Sequence, residues 1–252
     1  MALDDFLLSR ASDRCSAPTT FLRLYQWDRP TLSLGISQKA ERVVDFDFCR
    51  EHGIGLVRRL TGGKAVLHHR ELTYAVISND PFFFPTKDIC GTYRRIATAL
   101  QAGFCSLGLS VILGASQAAV RHNLSRACFT TLNHHEITVG DRKLVGSAQR
   151  RTQTSFLQHG SIPYVFDSNL LAGALGLKDC VEITSRATDL RRCLGEETEI
   201  RDVANALISG FEMSFNVQLA ATTLSDVEWQ VVKQIRVDKY EDLNWNVLPK
   251  LA

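Results

Sequence analysis

The stretch Gly140-Asp141-Arg142-Lys143-Leu144-Val145-Gly146-Ser147-Ala148-Gln149-Arg150-Arg151 constrains this chain more than any other. Gly140-Asp141 is a two-residue hairpin signal, because such turns need backbone at φ > 0. It follows Glu136-Ile-Thr-Val139 and opens a strand carrying Gly146, Ser147 and Ala148. Small residues inside a strand mark a close approach to the backbone that a larger side chain would block. Lys143 stands on the same strand and can aim an ammonium at a carbonyl or carboxylate held there. Cys128 lies a short way upstream and His159-Gly160-Ser161 just downstream, so Cys128 and Lys143 are expected at the mouth of one pocket.

The rest of the chain frames that hairpin. Residues 1–8 read as a helix with Leu3, Phe6 and Leu7 at core spacing. Residues 21–25, 31–36, 54–60 and 71–78 read as strands, and 45–52 as a short helix closed by Gly53. Ile89, Tyr93, Ile96, Leu100, Phe104 and Leu107 recur at three- and four-residue intervals, which predicts the longest helix, laid across the sheet. Gly91 and Gly103 weaken it slightly. Residues 109–113 read as a short strand, 114–126 as a mobile polar loop, and 156–162 as the strand that closes the sheet. Beyond residue 165 the pattern turns helical at 170–175, 200–215 and 227–240, with a short strand at 216–219. Neither a repeat nor linker composition divides the chain, so residues 1–252 are expected to form a single domain, with a core over about 1–165 and a helical part over 166–252.

One loop adds chemistry to the frame. Residues 54–60 run straight into Thr61-Gly62-Gly63-Lys64-Ala-Val-Leu-His68. An isolated Gly-Gly is most often a plain hairpin loop. Here Arg58, Arg59, Lys64 and His68 put a cationic rim around bare backbone, which suits an anionic or carbonyl-bearing ligand. His68 either holds the loop or relays a proton, the structural role being favoured.

Composition excludes several classes. Net charge is +2, from 29 basic and 27 acidic residues, so no long-range field calls for a nucleic-acid partner. Seven cysteines without a CxxC pair imply reduced thiols in a cytoplasmic protein, neither a disulfide framework nor a zinc site, most of them small core residues. No apolar run reaches transmembrane length and no leader opens the chain, so neither a membrane partner nor export is expected.

The motifs together resemble the biotin/lipoate protein ligase and lipoyl/octanoyl transferase superfamily. Met-Ala-Leu-Asp-Asp at the start resembles its first helix, Arg58-Arg59-Leu-Thr61-Gly62-Gly63-Lys64-Ala-Val-Leu-His68 its ligand loop, and Lys143-Leu-Val-Gly146-Ser147-Ala148-Gln149-Arg150 with Leu157-Gln158-His159-Gly160-Ser161-Ile162 its core hairpin. Lys64 stands where lipoate ligases carry a third glycine, which resembles the octanoyltransferases of Gram-positive type. Cys128 matches the position of their cysteine nucleophile. The resemblance implies an α+β fold of mixed, mainly antiparallel sheets, like the catalytic domain of class II aminoacyl-tRNA synthetases and biotin synthetases, with helices on one side and an acyl tunnel. It implies transfer of octanoyl from octanoyl-acyl carrier protein, through a Cys128 thioester, to a lysine of a lipoyl domain such as the glycine-cleavage H protein. Such a transferase needs no cofactor and is expected to be a monomer.

The implied site comprises Cys128 and Lys143 as catalytic residues. Arg58, Arg59, Thr61, Gly62, Gly63, Lys64, His68, Gly146, Ser147, Ala148, His159 and Gly160 would bind substrate. Of His134 and His135, adjacent on a strand, at most one can face Cys128. Surface basic pairs, Arg150-Arg151 above all, would dock acidic carrier proteins. Two features depart from the pattern. The family's strand before the first helix is missing, implying a shortened start or an unpaired sheet edge. The stretch Glu182-Ile-Thr-Ser-Arg186-Ala-Thr-Asp-Leu190 resembles the ligases. The alternatives are therefore an ATP- and Mg2+-dependent lipoate or octanoate ligase, an amidotransferase between two lipoyl domains, and an acyl-binding homologue without activity.

Overall fold

Glu71-Leu-Thr-Tyr-Ala-Val-Ile-Ser78 is buried at every position, so the strand it forms must be covered on both faces. The computed structural model, which describes residues 1–85, 88–114 and 136–247, covers it in that way. Among the described residues, six strands form one antiparallel sheet in the order β1-β5-β9-β8-β7-β6. These are β1 (Thr20–Tyr25), β5 (Glu71–Ser78), β6 (Ile112–Gly114), β7 (Glu136–Val139), β8 (Arg142–Arg151) and β9 (Phe156–Pro163). A smaller mixed sheet has β2 (Thr31–Leu34) between β3 (Gly55–Arg58), which is parallel to it, and β4 (Val66–His68), which is antiparallel.

Helices cover both faces of the large sheet, not one. Leu72, Tyr74 and Val76 face α4 (Ile89–Ser106) and α8 (Ile200–Phe215), in a core with Ile96, Leu100, Phe104, Leu207 and Phe211. Ala75, Ile77 and Leu157 face the other way, against Leu7, Leu8 and Ala11 of α1 (Ala2–Ser12). With helices on both sides, β5 leaves no side for water.

Gly103, expected only to weaken its helix, is required where α4 crosses α8. A Cβ there would lie 2.7 Å from the Ala206 carbonyl oxygen and 2.8 Å from Leu207 Cα. Gly210 meets Ala99 and Gly103 in the same way. Ile89, by contrast, is exposed on the first turn of α4.

The small sheet buries Leu32 and Leu34 against α2 (Ala40–Val43), α3 (Phe46–Glu51), α5 (Ser168–Ala174) and α6 (Val181–Arg186). The remaining helices are α7 (Leu190–Leu194), α9 (Asp226–Ile235), which runs into a π-helical turn at Arg236–Tyr240, and α10 (Leu243–Val247).

Two expected strands differ. Residues 109–111 are unpaired, and pairing starts at Ile112. Residues 216–219 are not a strand: Asn216 adopts φ 51° as the cap of α8, and the N–H groups of Val217 and Leu219 both donate to Glu212. No described helix is long and apolar enough to cross a membrane.

Candidate active site

A small cavity of about 20 Å³ lies between the two sheets. The small sheet and its loop contribute Ser33, Arg59, Val66 and His68, and the large sheet contributes Thr73, Gly146, Ser147, Ala148, His159, Gly160 and Ser161.

Arg59 builds one wall. Its buried guanidinium donates through Nη2 to the carbonyls of Gly62 (2.8 Å) and Lys64 (2.7 Å), through Nη1 to the Ser33 carbonyl (3.0 Å), and through Nε to Thr61 Oγ1 (3.1 Å). The loop thus folds around the arginine. Gly63 sits at φ 90°, and a Cβ on it would be 3.0 Å from Arg59 Nη2 and 3.9 Å from Ala148 Cβ. Gly62 meets nothing within 4 Å, so its carbon faces open space. Thr61 Oγ1 also shares a 2.7 Å hydrogen bond with His159 Nε2 across the gap between the sheets. Burial pushes the His159 pKa down to about 3, with the nearby Arg59 and His68 adding to the effect and Asp4 opposing it. The imidazole is neutral at physiological pH.

A second network forms the far wall. Glu71 is buried and accepts from His68 Nδ1 (2.7 Å), Thr73 Oγ1 and Ser161 Oγ. A carboxylate only accepts, so His68 carries a hydrogen on Nδ1, and its Nε2 shares a 2.8 Å hydrogen bond with Ser33 Oγ. Trp27 stacks on His68 at 4.2 Å between centroids and donates from Nε1 to Thr73 Oγ1 (2.9 Å).

Lys143 reaches this face through a β-bulge. Strict alternation would place it with Val145 and Ser147, on the helix-packed side. The register shifts between Ile137, opposite Val145, and Thr138, opposite Lys143, so Leu144 is the extra residue. Leu144 and Val145 both enter the helix-packed core, and Lys143 turns to the face of Gly146 and Ala148. There Nζ, fully buried, donates to Glu136 Oε1 at 2.5 Å. The Ser147 hydroxyl points the other way, to Tyr74 Oη at 2.7 Å, so Ser147 meets the cavity with its backbone. Strand β7 pairs with β8 only as far as Val145. From Gly146 onward, the edge of β8 away from β9 has no strand partner among the described residues.

Of the residues expected to form the site, Arg59, His68, Gly146, Ser147, Ala148, His159 and Gly160 line the cavity, and Thr61 joins two of them. Gly62, Gly63 and Lys64 form the loop wrapped on Arg59. Lys143 lies along the same face outside the lining. Arg58 does not face the cavity: it is fully buried and spends its guanidinium on backbone carbonyls. Cys128, His134, His135 and the 114–126 loop beyond Gly114 fall outside the described residues.

Arg150 and Arg151 are half-buried and engaged internally, Arg150 with the Leu60 carbonyl and Arg151 with Gln149, Thr92 and the Asp88 carbonyl. Arg94 and Arg95 are instead an exposed basic pair. Among the six described cysteines only Cys49 is buried, its thiol pushed up to about 11 by burial; Cys15, Cys90 and Cys105 are exposed, against the expectation of core residues. Among the described residues, no group of three or more His, Cys, Asp or Glu is placed to hold a metal.

Sequence reasoning passed over Ser33, Val66, Thr73, Ser161, Glu71 and Trp27. The signal for two of them was present: Glu71 and Thr73 are polar at alternate positions of a strand whose other positions are apolar.

Comparison with known proteins agrees with this geometry. Residues 1–212 match the family model described as the lipoyl protein ligase A/B catalytic domain, and the chain belongs to that family. Octanoyltransferase LipM of Geobacillus kaustophilus is 34% identical over 98% of this chain and 92% of its own length. Its counterpart from Moorella thermoacetica is 34% identical over 97% and 92%. The crystal structure of a lipoate-protein ligase A bound with ATP superposes with a TM-score of 0.79 at 25% identity, covering 98% of this chain and 92% of that one. A bi-partite lipoate protein ligase from Thermoplasma acidophilum shares the fold, with a TM-score of 0.80 at 24% identity over 100% of this chain and 91% of that one. Within the family the protein is an enzyme of the acyltransferase class, like the relatives that match nearly its whole length.

Proposed function

We propose that the protein moves octanoyl groups in lipoate biosynthesis, from octanoyl-acyl carrier protein to a lysine of a lipoyl-domain protein such as the glycine-cleavage H protein. The observation that carries this reading is the 34% identity to octanoyltransferases over nearly the full chain. In the first step the Cys128 thiolate attacks the thioester carbonyl. A new thioester forms on Cys128, and the carrier leaves as a thiolate that takes up a proton. In the second step the neutral lysine amine attacks that thioester, an amide forms, the amine proton is lost and the Cys128 thiolate returns. One thioester replaces another and the amide is lower in energy than either, so no nucleotide is consumed.

The small cavity would take the carbonyl end of the acyl group. Gly62 allows the carbonyl to come close, and the edge of β8 that has no strand partner among the described residues would offer one backbone N–H of the Gly146-Ser147 pair to the developing oxyanion. One such donor is typically worth about 3–4 kcal/mol of transition-state stabilisation. Lys143 supplies positive charge on the same face, with Glu136 fixing its direction. His159, neutral and bonded to Thr61, and His68, bonded to Glu71, hold the walls.

The test is intact-protein mass after mixing with octanoyl-acyl carrier protein without ATP. Wild type should gain an octanoyl mass that hydroxylamine removes, and Cys128→Ser should not. The likeness to an ATP-bound ligase favours a second reading, activation of free acid as an adenylate. That reading requires ATP–pyrophosphate exchange that persists in Cys128→Ala, and finding it would replace the transferase assignment.

A further inference from the structure

Arg58 is a cation with no exposed surface; its guanidinium hydrogen bonds go to backbone carbonyls, and Glu41 acts on it only through its charge. Six carbonyl oxygens surround its guanidinium. Three belong to the loop after β2: Gly35 (2.9 Å), Ile36 (3.1 Å) and Gln38 (2.7 Å). The other three belong to the last turn of α10: Trp245 (2.9 Å), Asn246 (3.2 Å) and Val247 (2.9 Å). The backbone of Arg58 is clasped as well, since its N–H donates to Asn246 Oδ1 (2.9 Å) and its carbonyl accepts from Trp245 Nε1 (2.9 Å). Carbonyls in the last turn of a helix carry partial negative charge and suit a cation, but they can hold a buried one only while they stay in place.

The clasp reaches the cavity through a short chain of backbone contacts. Ile36 N–H donates to the Thr61 carbonyl (2.9 Å) and Arg59 N–H to the Leu34 carbonyl (2.9 Å). Gly35 packs so tightly on Gly63 that a Cβ would fall 2.0 Å from the Gly63 carbonyl oxygen. Gly63 in turn lies against Arg59 and Ala148, which line the cavity. The far end of the strap is tied to α1, with Lys239 Nζ (2.7 Å) and Tyr240 Oη (3.2 Å) both donating to Asp5, and the strap closes on itself where Asn246 Nδ2 donates to the Tyr240 carbonyl (2.8 Å). All of these strap residues lie beyond residue 212, where the match to the catalytic-domain family model ends.

We propose that the C-terminal strap, residues 239–247, completes the acyl site, with Asn246 as a positioning residue that acts through Arg58 on the 35–38 and 62–63 loops. The effect on substrate rests on the function proposed above, whereas the effect on the loops does not. The test is therefore made first without substrate, by amide hydrogen exchange on the full chain. In Asn246→Ala the amides of Ile36, Arg58 and Arg59 should exchange at least about tenfold faster, while those of Tyr74 and Ala75 in β5 stay unchanged. With octanoyl-acyl carrier protein, KM should rise about fivefold while kcat changes less than about twofold, because ground-state positioning is lost and the reacting groups are not. Asn246→Asp keeps an oxygen for the Arg58 N–H but loses the donor to the Tyr240 carbonyl, so it should restore both effects only in part.

If Asn246→Ala does not fold, Trp245→Phe, which removes the donor to the Arg58 carbonyl and keeps an aromatic ring, reads the same amides. Unchanged exchange at 36 and 58–59, or an equal increase in both sheets, would overturn the proposal. Localised exchange in a wild-type protein that forms no octanoyl adduct would leave the strap standing and remove the transferase reading instead.

Discussion

The two faces of the large sheet come from the same strands and are built on opposite principles. The face toward α4 and α8 is a packed core in which even the helix glycines are filled by backbone. The face toward the small sheet is apolar only where α1 covers it; further along, Glu71, Thr73, His159 and Ser161 join Ser33, Arg59 and Thr61 in a hydrogen-bonded shell around a cavity. A buried polar group without a partner costs far more than a satisfied one gains. Such a shell therefore fixes its members more narrowly than hydrocarbon would. Stability should reside mainly on one face and ligand geometry on the other.

Three substitutions test that division. The largest effect on folding is expected from Leu100→Ala on the helix-packed face, a loss of about 3 kcal/mol in urea unfolding for the cavity it leaves. The rate of octanoyl transfer per folded molecule should not change, and a large fall would mean that the faces are coupled.

His159 gives the next effect, and it depends on pH. The folded protein holds this imidazole neutral down to about pH 3, whereas the unfolded chain binds a proton below its ordinary value of 6.5. The stability this group contributes is therefore complete above pH 6.5 and is lost as pH falls toward 3. At pH 5 the loss is about 2 kcal/mol. Unfolding of His159→Gln at pH 7.5 and pH 5.0 should lack that part of the wild-type decline; an unchanged difference would show that burial does not control the group.

Gly62→Ala should have the smallest effect on stability, under about 0.5 kcal/mol, since the new methyl meets nothing. On the proposed function the acyl group passes through that open space, so the substitution should nevertheless raise KM for the octanoyl donor. A variant with wild-type KM would separate Gly62 from the ligand.

Legibility in the sequence followed the range of the interaction. The β7–β8 hairpin was readable because its turn needs Gly140 at φ 55°, a local demand of the backbone. The α4 helix was readable from its spacing, but the reason for Gly103 was not, because the group that excludes a side chain there belongs to α8, about a hundred positions away. The strand expected at 216–219 failed for a similar reason: its β-forming residues are bonded to Glu212 at the end of α8 rather than to a neighbouring strand.

The two adjacent arginines show where sequence and tertiary structure divide the work. Sequence determined that Arg58-Arg59 precedes a glycine loop, that small residues and a lysine share one strand, and that a histidine-glycine pair follows on the next. These are facts of order and residue type, fixed by local backbone requirements. Only the tertiary structure decided that Arg59 turns inward to shape the cavity while Arg58 is gripped by the far end of the chain. It alone placed the bulge that brings Lys143 to the cavity side. Neighbouring residues on a strand face opposite ways, and what each one meets is set by elements that arrive from elsewhere in the chain.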